Sequence, residues 1–216
     1  MQQKASFPFL RYGGKKLCRI RGMRTLWHNV TFSLQQGECL CIEGRNGSGK
    51  TSLLNVLAGL HTPDTGTLTW QDDAMSHTTH KPPPHHVSYV GHRSGMSDSL
   101  TLFDNLAFWA HARHIAHPQE KIHHALVLFQ LDALCHAPTI LLSAGQQKRA
   151  SLARLLLGDT PLWLLDEPCA HLDDKGQQTL LNAITHAQQQ GTIIVYTRHH
   201  PIDHFPLHHH HMMTLP

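Results

Sequence analysis

Three short runs of residues have the types and spacing to work on phosphate. Gly44-Arg45-Asn46-Gly47-Ser48-Gly49-Lys50-Thr51 fits G-x-x-x-x-G-K-[ST], and it lies between an apolar strand and a helix, the context that pattern needs. Its glycines let backbone N–H groups turn inward around a β-phosphate where side chains would clash. Lys50 brings a positive charge to β- and γ-phosphates, Thr51 offers a hydroxyl to Mg²⁺, and the following helix adds its N-terminal dipole. The run Leu162-Trp163-Leu164-Leu165-Asp166-Glu167 is apolar and ends in two acids. A buried strand would deliver Asp166 to its C-terminal end to hold Mg²⁺ through water, and would set Glu167 to orient or deprotonate an attacking water. Third, Ser143 followed by Gln146 is a capping-box pattern at a helix start. The Ser143 hydroxyl and the amides behind it serve either the helix itself or a phosphate.

The elements that must position these residues alternate. Apolar spacing predicts strands at 25–34, 38–43, 67–70, 87–90, 162–165 and 192–197, with helices through 52–57, 144–157 and 174–190. Strands alternating with helices imply a mostly parallel sheet. From 99 to 142 the chain reads as helical with breaks at Pro118 and Pro138, an insertion into that pattern. Residues 1–22 are basic and weakly patterned and read as a solvated or edge segment.

Taken in the order phosphate loop, Leu-Ser-x-Gly-Gln, Asp-Glu-Pro, these motifs resemble those of ABC-transporter ATPase subunits over nearly the whole chain. The resemblance implies an α/β P-loop NTPase fold of the ABC nucleotide-binding type. It would have a mostly parallel sheet core, N-terminal antiparallel strands and an inserted helical subdomain at about 93–150 within one domain spanning 1–216. It also implies ATP and Mg²⁺ as ligands and a second copy of the chain as partner, with ATP between the phosphate loop of one copy and the signature Ser143-Ala144-Gly145-Gln146 of the other. Nucleotide contacts would fall on Gly44, Arg45, Asn46, Gly47, Ser48, Gly49, Lys50, Thr51 and Ser52. Glu167, Lys50 and His199 would be catalytic, and Thr51 and Asp166 would hold the metal.

The chain departs from that family's usual pattern at several places. Ala144 stands where a second signature glycine is usual, tolerable if its backbone angles stay negative. His92 stands where a glutamine senses Mg²⁺, and Arg21 where an aromatic side chain stacks on adenine. The switch histidine follows a strand as Thr197-Arg198-His199-His200, with His199 favoured by register and His200 the alternative.

Runs such as Leu54-Asn55-Val56-Leu57-Ala58-Gly59-Leu60, Tyr89-Val90-Gly91-His92 and Gly145-Gln146-Gln147-Lys148-Arg149 are similar, more narrowly, to the ATP-binding subunits of the bacterial cytochrome c maturation, or heme exporter, system. That resemblance implies a peripheral ATPase on the cytoplasmic face of the inner membrane. Its integral partner would resemble CcmB, with CcmC and CcmD, and hydrolysis would release a heme-loaded chaperone. Two other readings of the residues are an ABC ATPase for a different substrate and a His-rich metal- or heme-binding module.

Composition bounds these readings. The chain has 216 residues, 18 Lys+Arg against 15 Asp+Glu, and a formal charge of +3, which gives no case for nucleic acid as a partner. No run approaches a membrane span, and no secretory core follows Met1. Five cysteines without a C-x-x-C pair argue for reduced thiols rather than a disulfide framework or zinc knuckle. Histidine is the outlier, with 22 copies, half of them between His77 and His136. His111, His114 and His117 recur every three residues. On one helix they would lie along one side, as a ligand cluster or a solvated face.

Overall fold

A long alternation of buried and exposed positions begins earlier than residue 25. In the computed structural model, which describes residues 10–72, 79–198 and 210–215, strand β1 spans Leu10–Arg21 and pairs antiparallel with β2, Arg24–Gln35. On its other side it pairs with β4, Thr65–Asp72. β1 is therefore the central strand of a three-stranded sheet ordered β2-β1-β4, not a solvated edge. Its basic residues project outward, while Leu10, Tyr12 and Leu17 are buried. The strand was hidden in the sequence because Gly13, Gly14, Lys15 and Lys16 interrupt the alternation, and the register shifts on either side of Leu17.

The second sheet has the order β5-β6-β7-β3-β8. Its strands are β3 (Cys39–Glu43), β5 (Val87–Val90), β6 (Leu162–Leu165), β7 (Ile193–Arg198) and β8 (His210–Thr214). β6 with β7, β7 with β3 and β3 with β8 run parallel. β6 and β7 are buried at every position, as continuous apolar runs in a parallel sheet should be. The histidine-rich end of the chain thus contributes an edge strand.

Two compact units account for the chain. One comprises Met1–Tyr89, Thr160–Glu167 and Ile184–Pro216, the other Val90–Asp159 and Pro168–Ala183. The first holds both sheets and helix α1, Lys50–Leu57. Its core joins Tyr12, Trp27 and Trp70 to Leu53, Leu54 and Leu57 of α1 and to Leu162, Leu164, Ile193 and Val195. The buried Tyr12 hydroxyl donates to the Leu57 carbonyl at 2.6 Å, tying the antiparallel sheet to the last turn of α1.

The second unit is helical. α2 is Leu102–Ala112, α3 is Pro118–Leu128 and α4 is Ala144–Ala153. Leu102, Leu106, Ala110, Ile122, Ala125 and Leu126 form its apolar stripes. Pro118 sits at the first turn of α3, where its missing N–H is harmless. The chain then runs through α5, Asp174–Gln189, whose buried positions Leu180, Ile184 and Ala187 follow helical spacing. The expected helix at 144–157 ends as α helix at Ala153 and tightens to a 3₁₀ turn at Arg154–Leu156.

One helical face carrying His111, His114 and His117 does not exist. α2 stops at Ala112, and His114 and His117 both adopt positive φ, the first beyond the end of α2 and the second as the N-cap of α3. All three side chains are exposed, and among the described residues no group of three His, Cys, Asp or Glu is arranged to hold a metal. The five cysteines are free thiols. No helix among the described residues is long and apolar enough to cross a membrane.

Candidate functional site

The phosphate loop leaves β3 at Glu43 and enters α1 at Lys50. Gly44, Gly47 and Gly49 all have positive φ, which points the loop's amides inward. Gly49 is fixed on a second count. A Cβ there would come within 2.9 Å of the buried Trp27 ring, whose Nε1 donates to the Gly49 carbonyl at 3.3 Å. Trp27 thereby sets where the loop turns into the helix.

Lys50 is buried, and its Nζ donates to the carbonyls of Gly44 at 2.7 Å and Arg45 at 3.2 Å, so the ammonium is held across the mouth of the loop. The Ser48 hydroxyl is buried beneath it with no hydrogen-bond partner among the described residues, an orphan group such as a phosphate cradle contains.

Asp166 follows the last residue of β6 and is 2 % exposed. The Thr51 hydroxyl donates to its Oδ2 at 2.7 Å and the Thr197 hydroxyl to its Oδ1 at 2.8 Å. Thr197 in turn accepts from the backbone N–H of Glu167 at 2.9 Å. Glu167 has φ of +45°, a costly conformation for a residue with a Cβ and one that clusters at functional sites. One buried hydroxyl at the end of β7 therefore fixes both acids. Residue spacing did not single out Thr197; its signal is a lone hydroxyl in a strand that is otherwise largely apolar. Nearby, burial and then the Asp166 charge push the Tyr89 phenol up to about 12.

Arg21, Asn46, Gly47, Gly49, Lys50, Thr51, Ser52 and Glu167 line a single cavity of about 220 Å³ with Leu26. Arg21 is thus brought to the phosphate loop, in company with Glu167. Hard oxygen donors from Thr51 and Asp166, bonded to each other, fit a small divalent cation such as Mg²⁺. Arg198 has a different place from its neighbours in sequence. It is 4 % exposed and its guanidinium pairs with Glu43, the residue before the loop, with which it is also in strand register. The Thr-Arg-His departure thus puts a strut behind the loop. His199 and His200 lie outside the described residues.

The second unit carries the signature and His92. Ser143 caps α4 as its spacing predicted. Its Oγ accepts from the Gln146 N–H at 3.3 Å, and Gln146 Oε1 accepts from the Ser143 N–H at 2.8 Å. Both Ser143 and Ala144 are exposed at the helix start, and Ala144 is not among the residues with positive φ, so its methyl group is tolerated. At Gly145 a Cβ would stand 2.8 Å from the carbonyl oxygen of His171, so the close approach of that loop requires glycine. His92 lines a cavity of about 160 Å³ with Ala144, Gln147, Lys148, Ser151, Ala170 and His171.

Known proteins match this arrangement. The family model described as ABC transporter matches residues 27–170. The cytochrome c biogenesis ATP-binding export protein CcmA of Paramagnetospirillum magneticum is 38 % identical over 89 % of this chain and 89 % of its own length. The CcmA proteins of Vibrio vulnificus and Bradyrhizobium diazoefficiens are 37 % and 36 % identical, over 85 % and 88 % of this chain and 89 % and 92 % of their own. Among solved structures, an ABC transporter ATP-binding protein from Pyrococcus furiosus shares the fold with a TM-score of 0.78 at 18 % identity, covering 95 % of this chain and 97 % of that one. A dimeric ATP-binding cassette bound to ADP and Pi does so with 0.77 at 21 % identity, covering 89 % of each. By family match and by identity along most of its length, the chain belongs to the ABC transporter ATPases and, among them, to the CcmA cytochrome c biogenesis ATP-binding export proteins.

Proposed function

We propose that this chain is the ATP-hydrolysing subunit of a membrane ABC complex for cytochrome c maturation, coupling hydrolysis to heme export or to release of a heme-loaded chaperone. The observation that carries the ATPase reading is the bonded series Thr51–Asp166–Thr197–Glu167, which joins the phosphate loop to a carboxylate in the same cavity. The identity to CcmA proteins supports the system.

ATP binds with its phosphates on the amides of residues 44–49, Lys50 exchanging its carbonyl partners for the β- and γ-phosphates. Thr51 and Asp166 would hold Mg²⁺, which would supply positive charge against that of the phosphate oxygens. Glu167 accepts a proton from a water whose oxygen attacks the γ-phosphorus. The bond from phosphorus to the bridging oxygen breaks, and ADP carries away that electron pair. His199 senses the γ-phosphate, with His200 its alternative. Arg21 stacks its guanidinium plane on adenine, and His92 would take the role of the glutamine as the Mg²⁺-sensing residue. A second copy supplies Ser143, Ala144, Gly145 and Gln146 to the same ATP. The Ser143 oxygen already accepts from Gln146, which leaves its hydrogen to donate to phosphate. The complex includes an integral subunit resembling CcmB, with CcmC and CcmD, and the chain sits peripherally on the cytoplasmic face of the inner membrane.

Complementation tests the reading. In a bacterium lacking its own CcmA, the wild-type chain restores covalent heme on c-type cytochromes and Glu167→Gln does not. The purified E167Q protein binds ATP, hydrolyses it about 10²–10⁴-fold more slowly and elutes as a dimer. Restored cytochrome c with E167Q, or a monomer in saturating ATP, overturns it.

A further inference from the structure

β3 and β7 lie side by side and parallel, so their residues meet in register pairs. Three such pairs fall on one face: Cys39 with Ile194, Cys41 with Tyr196 and Glu43 with Arg198. Polarity rises along that face toward the C-terminal ends of the strands, where the phosphate loop begins. The last pair is ionic. Arg198 Nε donates to Glu43 Oε1, and Nη2 pairs with the same oxygen.

Stability is a poor reason for this pair. Every position of β7 is buried, Arg198 included. Taking a guanidinium out of water is costly, and apolar side chains in place of a buried ion pair are often as stable or more so. What sets the pair apart is its location. Glu43 directly precedes Gly44, the first residue of the loop, and its side chain is 25 % exposed. Among the described residues, Arg198 alone bonds to or pairs with that carboxylate.

The loop amides, Lys50 and the start of α1 are arranged to receive phosphate. A bare carboxylate at the root of such a loop works against them. Its repulsion grows with each unit of negative charge on the ligand. It therefore acts harder on a nucleoside triphosphate than on a diphosphate, which carries one unit less. Left unanswered, Glu43 would weaken ATP and shift the loop's choice toward ADP.

We propose that Arg198 is a specificity-determining residue of the nucleotide site: by cancelling the Glu43 charge, it lets the loop take a nucleoside triphosphate in preference to a diphosphate. The role is electrostatic and goes beyond bracing the loop. It rests on the reading of the loop as an ATP site.

Equilibrium titration of the purified chain, with Mg²⁺ and either ADP or the β,γ-imido analogue of ATP, tests it. Arg198→Met keeps much of the volume without the charge. It weakens the analogue about tenfold and ADP about threefold, so the ratio of the two affinities falls about threefold. Arg198→Lys keeps that ratio within twofold of wild type. Glu43→Gln binds the analogue at least as tightly as wild type, and the double variant E43Q/R198M restores the ratio. A pair that served only as a brace gives a different pattern, with E43Q and R198M weakened alike and both nucleotides affected equally. That pattern, or an unchanged ratio in R198M, overturns the proposal. E43Q decides the matter even if R198M fails to fold, since a folded E43Q protein that binds the analogue at least threefold more weakly also overturns it. If the wild-type chain binds neither nucleotide, the ATP reading itself fails and the proposal falls with it, an outcome distinct from any order among the variants.

Discussion

Thr197 holds two acids with one hydroxyl, donating to Asp166 and accepting from the Glu167 amide in a fully buried setting. Thr197→Val keeps the shape and takes one hydrogen bond from each group, a loss of about 1–3 kcal/mol. If that loss falls on the transition state, it slows turnover by roughly 5- to 150-fold. We expect turnover to fall with ATP affinity within threefold of wild type, because the loop amides are untouched, and Thr197→Ser to restore most of it. Steady-state hydrolysis beside equilibrium nucleotide binding checks this, and equal loss in the Ser and Val variants counts against it. At this scale the sequence is a good guide to the phosphate loop, Asp166 and Glu167, because contiguous motifs encode contiguous geometry. It is a poor guide to Thr197, Trp27 and Tyr12. Their partners are 31, 22 and 45 positions away, and no local pattern carries such a bond.

Elements show where local pattern succeeds and where tertiary pairing overrides it. The α4 capping box is read correctly from Ser143 and Gln146 because it closes over three residues. β1 is missed because its strand character comes from pairing with two neighbours, β2 just across a two-residue turn and β4 more than forty residues on, while its own sequence mixes glycine with lysine. The every-third histidine pattern misleads for the opposite reason. It is regular in sequence, yet the helix ends inside it at Ala112. Gly145 is the element-scale test. Gly145→Ala puts a methyl group against the His171 carbonyl, so the start of α4 or that loop must shift. Since the phosphate loop belongs to other elements, ATP binding by the isolated chain should persist while hydrolysis drops at least tenfold. Calorimetric ATP titration beside an activity assay separates the two, and unchanged hydrolysis would show that the close approach is dispensable.

For the whole molecule, the balance of 18 basic to 15 acidic residues leaves a modest +3, beside which stand 22 histidines. Surface histidine is charged or neutral according to pH near its ordinary value of about 6.5. No described helix is long and apolar enough to cross a bilayer, and the function proposed above has a membrane subunit hold the chain. Washing membranes with alkaline carbonate should therefore release the chain into the supernatant while its integral partner stays in the pellet. Retention of the chain in the pellet would contradict peripheral attachment.

β8 is the edge strand beside β3, and it holds the nucleotide loop from behind. The Leu215 amide donates to the Glu43 carbonyl at 2.8 Å, and the Leu215 carbonyl lies against Gly44, where a Cβ would meet it at 3.1 Å. The first turn of the loop is therefore braced by residues made some 170 positions later in synthesis. A chain still emerging from the ribosome has every residue of the phosphate motif long before it has the brace. Nascent chains stalled short of residue 210 should bind a fluorescent ATP analogue at least tenfold more weakly than chains stalled with residue 216 clear of the exit tunnel. Equal binding would mean the loop sets its own shape. On this view, competence to hold nucleotide arrives only once β8 has been made, as a timing property of where β8 falls in the chain.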